Sequence, residues 1–347
     1  MSDKIVSFII PAYNAADTIV RCLDSIYALS LKPDEFEVIV IDDASTDNTV
    51  SVIGNWKLEN GDCKLEVLRQ PENHRQGAAR NRGLKVAKGE HICFVDADDA
   101  VTEGIVKAIR MAKEKDADMV ALHFGNANEQ GKISSEAERL SFVENQMFSG
   151  MDMQNMHPYW CSAPWGYIYG KKFLQRVNNT FAEDVLYEDS DFVVVHLYHA
   201  KRMSYSQELA YKAYYREGST THHTSNKNVA DYLLLGERML RFYERITDER
   251  INGLKDDGIG KFAEGILEGA CWNVQKSCKR VIKLGSIDEV KAYYERIDSN
   301  VSRKDLCANK QLQSYYWNAW TSLCVGHRKM ATALLAVLIP MYKLLKR

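Results

Sequence analysis

An alternation in the N-terminal third constrains this chain most: short apolar runs that read as strands, each followed by a stretch with helical spacing. Residues 5–10 form an apolar run closed by Pro11, and Asn14 is placed to cap a helix with Ile19, Leu23 and Ile26 on one face. Residues 36–41 read as a second strand ending in Asp42 and Asp43, with Ser45 placed to cap the next helix. Further strands are expected over 64–68, 91–95 and 119–124, with helices over 77–87 and from Thr102 to about residue 115. This order predicts an α/β domain, a parallel sheet with right-handed crossovers and helices on both faces. Ligands of such sheets collect at the carboxyl ends of the strands. Two of those ends are acidic here, Asp42 and Asp43 after the second strand and Asp96, Asp98 and Asp99 after the fourth.

Beyond residue 125 the pattern loosens. A helix over 188–199, a strand over 209–215 and a polar loop over 218–228 are expected, and from residue 229 apolar and aromatic residues at spacings of three and four predict a mainly helical C-terminal region. With 46% hydrophobic and 27% charged residues the chain is no disordered tail, and a net charge of -2 gives no long-range attraction to nucleic acid. The eight cysteines lack paired Cys-x-x-Cys spacing, so buried thiols in a reducing compartment are expected. The apolar run at 5–10 is too short for a signal peptide, and a cytoplasmic protein follows. Residues 331–342 are almost wholly apolar and flanked by Arg328, Lys329, Lys343, Lys346 and Arg347. A membrane span needs about 20 apolar residues, so 328–347 reads either as an interfacial helix in peripheral contact with the cytoplasmic face of a membrane or as a terminal helix docked on the protein's own core.

Carboxylates bunched after a buried strand repel one another, and a divalent cation relieves the conflict. Mn²⁺ and Mg²⁺ take oxygen ligands and commonly sit between one or two carboxylates and a substrate's phosphates. An isolated Asp-x-Asp is more often a solvated turn or a helix cap. Here it stands fourth in an ordered series: Ser7-Phe8-Ile9-Ile10-Pro11-Ala12-Tyr13-Asn14; Val38-Ile39-Val40-Ile41-Asp42-Asp43-Ala44-Ser45-Thr46-Asp47; Gly77-Ala78-Ala79-Arg80-Asn81-Arg82-Gly83; and Gly89 through Val95-Asp96-Ala97-Asp98-Asp99. The series resembles the family 2 glycosyltransferases of the GT-A fold. The resemblance implies an inverting, metal-dependent transfer of a single sugar from a nucleoside diphosphate sugar, of the UDP type, to an acceptor hydroxyl. It also implies a saccharide or lipid-linked saccharide acceptor in surface polysaccharide or glycolipid assembly, and Mn²⁺ or Mg²⁺ as cofactor. With the change of pattern after residue 125 and the helical spacing toward the C-terminus, the expected division is a catalytic domain over 1–220, with a nucleotide-sugar half at 1–124 and an acceptor half at 125–220, and a helical region over 221–347.

Residue by residue, the resemblance implies that Pro11, Ala12 and Tyr13 lie along the nucleoside and that Asp43, with Asp42 beside it, reads the base. Arg80 is a phosphate or base contact by the same resemblance, while a salt bridge into the acidic strand ends explains it equally well. Asp96 with Ala97 would face the ribose or sugar, and Asp98 the metal. Inversion requires a general base opposite the leaving diphosphate, which family members place on the Asp of a Glu-Asp pair opening a helix. The sequence offers Glu183-Asp184 and Glu188-Asp189. The second leads into Phe192 and an apolar run that can anchor a helix, so Asp189, preceded by Glu188, is the expected catalytic base, with Asp184 or Asp191 as alternatives. Arg216, and His222 as a further metal or diphosphate contact, stand in a Tyr-Arg segment and the polar loop after it. Trp160 and Trp165 are readable either as sugar-stacking platforms or as core. A pyrophosphorylase or a dehydrogenase would need a Gly-rich loop after the first strand, which Pro11-Ala12-Tyr13-Asn14 is not. A non-catalytic nucleotide-sugar-binding subunit is the alternative from another class.

Overall fold

The computed structural model describes residues 4–61, 63–158, 160–215 and 226–251, with a few positions between 259 and 266. The chain divides into two compact units, Met1–Glu217 and Gly218–Arg347. The first unit runs β1 (Val6–Ala12), α1 (Ile19–Tyr27), β2 (Phe36–Asp42), α2 (Thr49–Glu59), β3 (Leu65–Arg69), α3 (Arg75–Val86), β4 (His91–Phe94), β5 (Ala100–Val101), α4 (Gly104–Glu114), β6 (Met119–Ala127) and β7 (Ile133–Glu136). It continues through α5 (Gly150–Met156), a single 3-10 turn at Pro164–Gly166, β8 (Tyr167–Gly170), α6 (Lys171–Val177), α7 (Asp189–His199) and β9 (Met203–Tyr214). In the second unit α8 spans Asn226–Ile251. Among the described residues no helix is long and apolar enough to cross a membrane.

The strands form one sheet in the order β3-β2-β1-β4-β8-β6-β9-β5, with β7 paired to β6. The expected parallel arrangement holds for β3, β2, β1 and β4 and between β6 and β9, whereas β8 runs antiparallel to both β4 and β6. The sheet is therefore mixed. A four-residue strand with an aromatic stretch before it carries little periodicity, which is why β8 escapes a reading of the sequence.

Alternation along the strands assigns two apolar layers. Phe8, Ile10, Val38, Val40, Cys93 and Val120 share a core with Ile19, Cys22 and Leu23 of α1, Ile53 and Trp56 of α2, and Ile105, Ala108 and Ile109 of α4. Their neighbours Ile9 and Phe94 point the other way. An added Cβ at Gly83 of α3 would lie 2.4 Å from Ile9 Cγ2, and Phe94 packs edge-on against Tyr169, Phe181 and Phe192, at ring separations of 5.7, 5.3 and 6.1 Å. Helices thus cover both faces of the sheet, and α7 is anchored through Phe192 beneath the end of β4.

Helix starts depart from the expected caps. The N-cap of α1 is Thr18 and that of α2 is Asn48. Asn14, in the left-handed region at φ 49°, instead accepts the backbone N–H of Thr46 through Oδ1 at 2.8 Å, while Ser45 Oγ accepts the N–H of Asn14 at 3.0 Å. Both polar residues tie the loop after β1 to the loop after β2, which holds two carboxyl-end loops in one register.

Candidate active site

The parallel register sets Ala12 beside Asp42 and Asp42 beside Arg69, so the ends of β1, β2 and β3 are level. Pro11 and Ala12 are buried there, while Tyr13 is 48% exposed at the rim. Asp42 is fully buried and paired with Arg69 Nε at 3.2 Å. Asp43 is also buried, and its Oδ1 accepts Gln70 Nε2 at 2.5 Å and the backbone N–H of His74 at 2.9 Å. These bonds fix the Asp43 carboxyl at the strand end.

At the end of β4, Asp96 and Asp98 are half-buried, with the small side chain of Ala97 buried between them. Asp96 donates its backbone N–H to Tyr211 Oη at 3.1 Å, and the Asp98 carbonyl accepts Nη2 of Arg21, whose guanidinium lies 3.7 Å from the centre of the Tyr214 ring. Asp99 is buried and bonded differently, accepting the Tyr211 hydroxyl and the Tyr214 N–H, each at 2.7 Å. Burial, then the nearby Asp96 and Asp98 carboxylates, push the Asp99 pKa well up. Asp99 therefore tethers β9 to the acidic turn.

Arg80 is 2% exposed. Its Nη2 bonds Asp96 Oδ1 at 2.8 Å and Gln76 Oε1 at 3.1 Å, and its Nη1 bonds Glu188 Oε1 at 2.5 Å. Of the two explanations that the sequence left for Arg80, the ion pair into the acidic strand end is the arrangement found. Glu188 is buried as the N-cap of α7 without making a side-chain cap bond, and burial raises its pKa against the lowering effect of Arg80. Asp189 opens the helix. Burial first, and then the Glu188 charge, push its carboxyl up to about 7.

The other Glu-Asp pair is engaged on α3 and the turn before it: Glu183 accepts Asn81 Nδ2 at 2.8 Å and Asp184 bonds His74 Nδ1 at 2.9 Å. Asp191 is buried. Trp165 stacks on Tyr211 at 4.4 Å with an interplanar angle of 4°, and Trp160 packs edge-on to Phe124 and donates Nε1 to the Glu138 carbonyl at 2.7 Å. Both indoles are half-buried members of an aromatic cluster. Arg216, His222 and residues 328–347 lie outside the described residues.

Among the described residues no three His, Cys, Asp or Glu side chains form a metal cage. The donor set at the end of β4 nonetheless fits a hard divalent ion shared with a substrate: Asp96 and Asp98 are half-buried oxygen donors on one turn, and the repulsion that Asp99 feels from both is the charge conflict that a cation relieves. Tyr211 and Arg21 are the site residues that a reading of the sequence misses. Arg21 acts on a backbone carbonyl of the acidic turn and Tyr211 on a backbone N–H and the Asp99 carboxylate, and no motif marks them.

Residues 7–169 match the profile of Glycosyl transferase family 2. The chain is 27% identical to the uncharacterized glycosyltransferase YibD of Escherichia coli (strain K12), over 94% of this chain and 96% of that protein. It is 32% identical to the poly(ribitol-phosphate) beta-glucosyltransferase of Bacillus spizizenii over 36% of this chain, an alignment that spans 20% of the relative's own length. In fold it is similar to Staphylococcus aureus TarS 1-349 crystallised in complex with UDP-GlcNAc, with a TM-score of 0.68 and 19% identity over 98% of this chain and 91% of that one.

Proposed function

We propose, from the match of residues 7–169 to Glycosyl transferase family 2 and the likeness over nearly the whole chain to a glycosyltransferase of Escherichia coli, that the chain is a glycosyltransferase that moves a single sugar from a nucleoside diphosphate sugar, of the UDP type, to an acceptor hydroxyl with inversion. The observation that carries the proposal is the shared guanidinium of Arg80, which joins Asp96 at the end of β4 to Glu188, 108 positions further along than Arg80, and so brings the Asp-x-Asp and Glu-Asp elements to one site. TarS binds UDP-GlcNAc in its crystal structure, which supports a UDP-sugar donor here. The name of the Bacillus relative, a poly(ribitol-phosphate) beta-glucosyltransferase, supports a hydroxyl on a polymer as acceptor.

In this reading Pro11, Ala12 and Tyr13 line the nucleoside, and the immobilised Asp43 carboxyl accepts an imide N–H of the base, with Asp42 buried behind it. Asp96 orients the ribose or sugar beside Ala97. Asp98, with Asp96 as second donor, would hold Mn²⁺ or Mg²⁺, which when bound offsets negative charge on the leaving diphosphate. Asp189 takes the acceptor hydroxyl's proton as the oxygen attacks the anomeric carbon from the side opposite the leaving group. A carboxyl held near neutrality suits that task, since it is both deprotonated in useful amount at pH 7 and basic enough to accept a proton.

A panel of nucleotide sugars with Mn²⁺, followed by transfer or donor hydrolysis, tests the assignment. Asp189→Ala is expected to lower turnover by about 10²–10⁴-fold with nucleotide affinity retained, and Asp98→Ala to weaken Mn²⁺-dependent nucleotide binding. Unchanged turnover in Asp189→Ala removes the base assignment.

A further inference from the structure

The Gly77-Ala78-Ala79-Arg80-Asn81 block faces the turn that delivers the Glu-Asp pair. An added Cβ at Gly77 would lie 2.1 Å from the Ala182 carbonyl oxygen, so α3 and residues 181–188 touch backbone to backbone. Asn81 holds the same turn by donating Nδ2 to the Phe181 carbonyl at 3.0 Å and accepting the Phe181 N–H at 3.1 Å. The turn needs holding, because Asp184 and Tyr187 lie in the left-handed region, at φ 61° and 65°. Arg80 completes the contact with its guanidinium 5.4 Å from the Phe181 ring centre, Nη1 on Glu188 and Nη2 on Asp96. Its remaining nitrogen, Nε, is buried as well. The side chain is thus closed off from solvent, with both terminal nitrogens on protein partners.

We infer that Arg80, with Glu188 as its counter-ion, is a positioning residue that sets the placement of Asp189 relative to Asp96, and is not a ligand of the donor phosphates. The inference rests on the proposed role of Asp189 as base. A buried carboxylate, Glu188, and a half-buried one, Asp96, repel one another unless a cation stands between them. Arg suits the position because its planar fork addresses two acids at a fixed angle, whereas a Lys ammonium is a point charge on a flexible stem. In this account Glu188 does not touch substrate. It anchors the first turn of α7 so that the next side chain, Asp189, projects into the crevice.

The test compares full-length wild type, Arg80→Met, Arg80→Lys and Glu188→Gln. Arg80→Met is expected to speed hydrogen exchange in peptides covering 181–195 while those covering 36–42 and 91–95 keep their protection. On the best donor of the panel it lowers kcat at least about tenfold with donor KM held within about threefold, and Arg80→Lys restores part of kcat. UDP and uridine, titrated calorimetrically with Mn²⁺, keep their affinity ratio in all variants. A loss of UDP affinity of about tenfold relative to uridine, with exchange over 181–195 unchanged, makes Arg80 a phosphate ligand and overturns the inference. Faster exchange with unchanged kcat overturns it too. Where Arg80→Met does not fold, Arg80→Lys and Glu188→Gln carry the same comparison. Failure of the wild type to bind or turn over any nucleotide sugar would strike the proposed function, while the exchange experiment would still decide whether Arg80 holds the 181–188 turn.

Discussion

Asp189 occupies a place where its ionised form is disfavoured in the folded protein, since burial and the Glu188 charge raise its pKa to about 7, against about 3.9 for an unfolded Asp. Between those two values the native state holds a proton that the unfolded state has lost, so stability falls as pH rises from about 4 to about 7. Asp189→Asn removes the charge while keeping the shape. It is expected to raise Tm by a few degrees at about pH 8 and not at about pH 4, at about 2–4 °C per kcal/mol for a domain of this size. Equal shifts at both pH values, read by scanning calorimetry, would deny the raised pKa. With Asp189 as the proposed base, wild-type turnover is expected to decline as pH drops below about 7, because only the carboxylate accepts a proton. The placement of Asp43, Asp96, Asp98 and Asp189 was legible in the sequence, since each follows a strand or opens a helix. The partners that fix them were not legible. Tyr211 and Arg21 reach the acidic turn from β9 and α1 through a backbone N–H and a backbone carbonyl, and long-range bonds of that kind leave no local pattern.

At the scale of elements, apolar periodicity located β1, β2, β3, β4 and β6 and the helices between them, because each buries a face that sequence spacing reveals. It failed where an element is short or its polar residues serve another loop. Strand β8 enters antiparallel between β4 and β6, and Asn14 and Ser45 fasten two loops together instead of capping helices. Helix α3 illustrates the difference between a motif and its reason. Its glycines stand where the helix meets the Ala182 backbone and Ile9, a requirement of packing that no helical propensity expresses. Gly77→Ala would press a methyl into a backbone carbonyl, and a cost of about 1–3 kcal/mol with loss of turnover is expected as the 181–188 turn moves. Gly54 in α2 is the control. A Cβ there meets nothing within 4 Å, so Gly54→Ala, on the exposed face of α2, should stabilise the helix by about 0.5–1 kcal/mol. Paired melts of the two variants check the contrast, and similar shifts would refute the close approach at Gly77.

At the scale of the molecule, the chain holds two compact units with the division after Glu217. All nine strands of the sheet lie between Val6 and Tyr214. The same stretch contains both apolar layers, the one under α1, α2 and α4 and the one around Phe94, Phe181 and Phe192. The ion pairs of Arg80 and the tether from Asp99 to Tyr211 and Tyr214 also close within it. A unit of more than 200 residues with its own core is large enough to fold alone. Residues 1–217 expressed by themselves are therefore expected to unfold in one cooperative transition and to show dispersed amide resonances. Their hydrogen exchange should be slowest in β1, β2 and β4, the central strands buried on both faces. A gradual melt with collapsed near-UV circular dichroism would mean that Gly218–Arg347 supplies part of the core, and would move the boundary of the catalytic domain beyond Glu217.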